Sequence, residues 1–145
     1  MKNAFTLIEV LVVIAIFGVI SSVSYALYTS LQTGRVIESV KQEVLQNMRL
    51  VQSRAKAGYH EAQHGVLFLG SMYTLYQGQS YVTRDVSFDM TYELPVIFYF
   101  DGLSEVNFAQ KTGLPTPASG TVMIVNVIDE TTSLSITINS EGLLY

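Results

Sequence analysis

Phe5-Thr6-Leu7-Ile8-Glu9-Val10-Leu11-Val12-Val13-Ile14-Ala15-Ile16-Phe17-Gly18-Val19-Ile20 decides how this chain is read. The stretch is apolar enough for a membrane interior and holds one carboxylate. No charge follows Glu9 until Arg35, so residues 10–34 are 25 consecutive uncharged positions. Roughly 20 apolar residues cross a bilayer as a helix, and this run is long enough. A carboxylate inside such a span is costly and marks a functional group whose partner has to be found. Ser22-Val23-Ser24 mimics the small-x-small site of a secretory signal. A lone Lys2 as basic flank, Glu9 early in the apolar run and an unbroken helical pattern beyond it argue against an ordinary signal cut after Ser24.

Outward from this run the pattern changes twice. The first proline is Pro95, so a helix that begins near Phe5 can continue. From Arg35 it becomes amphipathic: Ile37, Val40, Val44, Met48, Val51 and Ala55 recur at steps of three and four, the mark of one buried face. Glu38, Lys41, Gln42, Glu43, Arg49, Gln52 and Lys56 fall to the polar side. Gly58 is a plausible stop, with Arg54 and Lys56 suited to the negative end of the helix dipole. Beyond it the period is two. Strands are expected at 66–69, 72–76, 81–83, 86–90, 96–100, 105–108, 122–128 and 134–138, rich in β-branched and aromatic residues. Thr112–Gly120, with Pro115 and Pro117, reads as the most flexible loop. The fold class is α+β: a long N-terminal helix, its second half packed on an antiparallel β-sheet or sandwich.

Charge and composition exclude several functions. Residues 1–56 carry Lys2, Arg35, Lys41, Arg49, Arg54 and Lys56 against Glu9, Glu38 and Glu43. Residues 57–145 carry only Arg84 and Lys111 against nine acids. Binding nucleic acid takes a basic face that releases counterions, and this part has none, so nucleic acid is not an expected partner. Cysteine is absent, which removes disulfides, zinc-thiolate sites and thiol catalysis. No cofactor is expected.

One segment does match a catalytic signature. His60-Glu61-Ala62-Gln63-His64 fits H-E-x-x-H, the zinc metallopeptidase pattern. That chemistry requires both histidines on one face of a stable helix and a third ligand. Gly58 and Gly65 bracket the segment and no third histidine exists. A chance match in a solvent-exposed connection is the expectation, with metal at His60 and His64 the remote alternative. Asp85, Asp89, Asp101, Asp129 and Glu130 could furnish a calcium site, though without EF-hand spacing; solvated turn acids are the plainer reading. Tyr73, Tyr76, Tyr81, Tyr92, Tyr99, Phe98, Phe100 and Phe108 are expected in the core and in cross-strand pairs.

Met1-Lys2-Asn3-Ala4, then Phe5-Thr6-Leu7-Ile8-Glu9, then the apolar helix together resemble the N-terminus of type IV pilins and type II secretion pseudopilins. Farther on, Leu75-Tyr76-Gln77-Gly78, Val96-Ile97-Phe98-Tyr99-Phe100-Asp101-Gly102 and Leu134-Ser135-Ile136-Thr137-Ile138-Asn139-Ser140-Glu141-Gly142 look like H-type minor pseudopilins and FimT-like minor pilins. The resemblance implies a leader over 1–4, a transmembrane helix over 5–29, an amphipathic helix over 30–58 and a β-rich head over 59–145. It implies cleavage between Ala4 and Phe5 by a prepilin peptidase and N-methylation of Phe5. Glycine usually precedes that cut; Ala4 is the smallest substitute, so processing is still expected. Glu9 would pair with the N-terminal ammonium of an adjacent subunit. The implied protein is a non-enzymatic subunit, single-pass in the bacterial inner membrane with its head outside the cytoplasm. There it sits in lipid until it joins other pilins in a filament or tip complex. A DNA-uptake minor pilin is the alternative, weakened by the lack of basic residues in Leu143-Leu144-Tyr145.

Overall fold

The computed structural model describes residues 6–145, apart from the side chains of residues 23–31 and 33. Two compact units divide the chain, Met1–Val36 and Ile37–Tyr145. Helix α1 spans Leu7–Lys56 without interruption. In the first unit the side chains from Leu7 to Ser22 are all exposed. Among the described residues no helix is long and apolar enough to cross a membrane.

In the second unit α1 turns one face inward, and every member of the expected stripe from Ile37 to Ala55 is buried. Leu45 joins that face, and so does Gln52, which helical periodicity assigns to the polar side. The helix stops where expected. Gly58 adopts φ 65°, a left-handed turn that glycine enters without a Cβ penalty. The carbonyl of Ala55, orphaned at the helix end, accepts from Gly58 N at 3.0 Å and from Lys111 N at 2.8 Å.

Eight strands follow: β1 His64–Leu69, β2 Met72–Gln77, β3 Asp85–Glu93, β4 Phe98–Gly102, β5 Glu105–Phe108, β6 Pro115–Thr116, β7 Gly120–Asn126 and β8 Ser133–Ile138. All pairings are antiparallel. One sheet runs β3-β2-β1-β5-β6 and the other β4-β7-β8. Phe100 of the second sheet lies 4.9 Å from Phe68 and 5.8 Å from Tyr73 of the first, ring to ring, so the sheets share one aromatic core. Tyr73 also stacks on its cross-strand partner Tyr92 at 5.1 Å.

Two expectations fail here. Residues 81–83 form no strand: Thr83 N donates to Ser80 O at 3.2 Å in a turn, and Tyr81 lies under the Arg84 guanidinium at 3.6 Å. The 112–120 segment is pinned rather than free. Pro115 and Thr116 pair with β5, and Pro115 is tolerated because β6 is a sheet edge that requires no further donor.

Candidate functional site

Glu9 occupies the third position of α1, and Thr6 precedes the first. The Thr6 backbone N–H donates to Glu9 Oε2 at 3.3 Å, and Glu9 N donates back to Thr6 Oγ1 at 3.4 Å. This is the pattern of a capping box, in which each residue's side chain accepts from the other's backbone N–H; Glu9 N also donates to Thr6 O at 3.1 Å. The carboxylate also sits at the positive end of the helix dipole. Thr6 is therefore a residue of this site that the sequence reading passed over. The signal was present, since a threonine three residues before a glutamate at the start of an apolar run spells the box. Ala4 and Phe5 lie outside the described residues.

The H-E-x-x-H segment forms no helix able to present both histidines together. Residues Tyr59–Glu61 make a 3-10 turn, with His60 and Glu61 at φ 51° and 54°. His60 Nδ1 lies 3.0 Å from Gln77 Oε1, and its ring stacks on Tyr59 at 4.0 Å. His64 begins β1 and is buried, 3% exposed, which corrects the expectation of a wholly solvent-exposed connection. Among the described residues no three His, Asp or Glu side chains converge as metal ligands.

The candidate calcium acids are likewise dispersed. Asp85 binds Ser87 and Asp129 binds Thr131 and Thr132; these hydrogen bonds hold both carboxyls below the usual range. Asp101 accepts from Gly102 N at 2.8 Å. Asp89 holds Arg84 at 2.7 Å, and Arg84 Nη1 donates to Tyr81 O. Of the two cations in residues 57–145, Arg84 is thus committed to Asp89 among the described contacts.

A family model for the prokaryotic N-terminal methylation motif matches residues 1–25. The match covers the N-terminal 25 residues of 145. The architecture of the chain is that of pilins. The type IV minor pilin FimU of Pseudomonas aeruginosa superposes with TM-score 0.60 at 11% identity, over 75% of this chain and 86% of that one. The minor pseudopilin EpsH of the Vibrio cholerae type 2 secretion system gives TM-score 0.57 at 16% identity, over 75% and 94%. At these identities the likeness is one of fold. No curated protein matches the chain.

Within this fold His64 is buried at the start of β1. Burial, aided by the nearby charges of Arg54 and His60, lowers its pKa below the ordinary 6.5, against the Ala62 hydrogen bond that raises it. The unfolded chain therefore takes up the proton first. The neutral ring's contribution is fully present above about pH 6.5 and is lost as the pH falls through the folded-state value. Urea midpoints of the wild type should fall from pH 7.5 to pH 5 more than those of His64→Phe. At neutral pH His60→Ala is expected to change stability by less than about 0.5 kcal/mol and His64→Ala to cost roughly 1–3 kcal/mol. Equal costs would contradict the burial.

Proposed function

We propose that this chain is a structural minor pilin-like subunit, made as a membrane-held precursor and taken up into a pilus or pseudopilus filament or its tip complex. The observation that carries the reading is the methylation motif over residues 1–25 on a fold shared with a minor pilin and a minor pseudopilin. The exposed apolar side chains from Leu7 to Ile20 support it. Apolar on every side, that stretch has to be covered by lipid or by other helices.

In this reading residues 1–4 are a leader removed by a prepilin peptidase between Ala4 and Phe5, and the new amino group of Phe5 is methylated. Residues 5–29 lie in the inner membrane in a single pass, supported by the uncharged run 10–34. Residues 30–58 continue as the amphipathic helix, and 59–145 form the head outside the cytoplasm. Glu9 pairs with the N-terminal ammonium of a neighbouring subunit, and each charge offsets the desolvation of the other. The work is mechanical and not catalytic. Extraction exchanges lipid around the apolar helix for the helices of other subunits.

Processing tests this directly. Co-expression with a prepilin peptidase should shorten the chain to one that starts with N-methyl-Phe5, read by intact-mass and N-terminal peptide spectrometry. A mature N-terminus at Tyr25 would instead identify an ordinary signal peptide.

A further inference from the structure

The two sheets end in four edge strands, β3, β6, β4 and β8. An open edge offers unpaired N–H and C=O groups to any extended chain, so proteins blunt their edges. Three of the four are blunted here. β6 is two residues long and contains Pro115. β8 is covered by Tyr145: Thr137 N donates to Tyr145 O at 2.8 Å, and Tyr145 N donates to Thr137 O at 3.2 Å. On β4, Phe100 N donates to Gly70 O at 2.8 Å, outside its own sheet.

β3 is nine residues long, and among the described hydrogen bonds none from outside its sheet reaches its backbone. Its pairing with β2 is regular from Met90 to Glu93 and shifts register before Asp85. Val86, Phe88 and Met90 are exposed apolar side chains along it. Asp89 is held by Arg84, but Asp85 and Glu93, one at each end, are exposed and meet no cation among the described contacts.

Charge decides what can lie along this edge. Like charges opposite one another destabilise a strand pair, and opposite charges stabilise it. Two β3 strands paired about Asp89 would set Asp85 against Glu93. None of the eight strands of this chain contains a Lys or Arg, so no strand of a second copy supplies the complement. The complement is an extended segment of a different protein, with basic residues for Asp85 and Glu93 and apolar residues between them for Phe88 and Met90.

We propose that the outer edge of β3 takes such a basic, apolar-centred segment as an added strand. The backbone ladder supplies the pairing, and the two carboxylates select the partner. The inference rests on the C-terminal unit alone and stands or falls independently of filament entry.

The test uses the full chain in phosphatidylcholine nanodiscs, which give a cationic peptide no anionic lipid to bind. Three peptides are compared: acetyl-Lys-Val-Thr-Val-Thr-Val-Lys-amide, its counterpart with Glu for both Lys, and the basic peptide with proline for its central valine. The basic peptide should shift the ¹³C-methyl signal of Met90 saturably and slow amide exchange across β3. At low salt it should bind about tenfold tighter than the acidic peptide, a gap that salt narrows. The proline version keeps the charge but loses a ladder donor, and it should not protect β3. Glu93→Lys, at an exposed position, should bring the affinities of the basic and acidic peptides together or reverse them. Equal affinities in the wild type, undiminished protection by the proline version, or a preference unchanged in Glu93→Lys would each overturn the proposal. So would β3 protection that rises with chain concentration in the absence of peptide, which would identify a second copy as the occupant.

Discussion

Gln52→Leu should destabilise the C-terminal unit by roughly 2–4 kcal/mol, a large share of the total stability of a small domain. The Gln52 side chain is buried against the core and donates twice, to Gly113 O at 3.0 Å and to Gly142 O at 2.7 Å. Leucine fills nearly the same volume but leaves two carbonyls without donors, and an unsatisfied buried polar group costs about 1–3 kcal/mol. No backbone shift relieves it easily. Gly142 sits at φ 78°, close enough to the Gln52 amide that a Cβ there would collide with it. Urea unfolding is the measurement. Gln42→Leu is the control, because Gln42 reaches only Glu38 on the exposed side of the helix; it should stay within about 0.5 kcal/mol. A Gln52→Leu effect as small as the control's would refute the clamp.

Glu9→Ala should abolish most incorporation into filaments, by roughly a hundredfold or more. Removing one member of a desolvated charge pair leaves the other uncompensated, at about 3–5 kcal/mol. Alanine also removes the capping box, so Glu9→Gln is the sharper variant. Glutamine serves at the third position of such a box but carries no charge. If the charge pair drives assembly, Glu9→Gln fails like alanine, while Thr6→Ala, which keeps the charge, assembles with a milder loss. If capping alone matters, Glu9→Gln assembles like the wild type. Quantifying the subunit in sheared filaments against its membrane pool separates these outcomes.

The elements that were legible in the sequence are those whose signal is local. Steps of three and four from Ile37 to Ala55 marked the buried helical face, and every residue of it is buried. Gly58 marked the stop because glycine enters the left-handed turn without a Cβ penalty. Period two and β-branched content marked most strands, with ends displaced by up to three residues. What escaped depends on distant partners. Gln52 looks polar and solvent-facing because its acceptors stand 61 and 90 residues away. His64 is buried because β1 lies between β2 and β5, which no neighbouring residue announces. Residues 112–120 look loose by composition, yet Lys111 N and Gly113 O tie their start to the end of α1. Tyr81-Val82-Thr83 looks like strand by composition, but Arg84 and Ser80 hold it as a turn. At the N-terminus the Thr6–Glu9 spacing spells a local signal too, the capping hydrogen bonds, beside the charge of Glu9.

The Gln52 clamp also has a consequence for timing. Ribosomes deliver the chain from its N-terminus, and contacts of long sequence separation form late because loop closure precedes them. The final turns of α1 exist early, yet their buried amide waits for Gly142, and β8 waits for Leu144 and Tyr145, which pair back onto Ile138 and Thr137. Until residues 142–145 arrive, the inner face of the helix and β8 lack these contacts. A chain stalled or clipped before residue 142 would keep nearly all of its secondary structure and still be unlatched, open to proteases and chaperones.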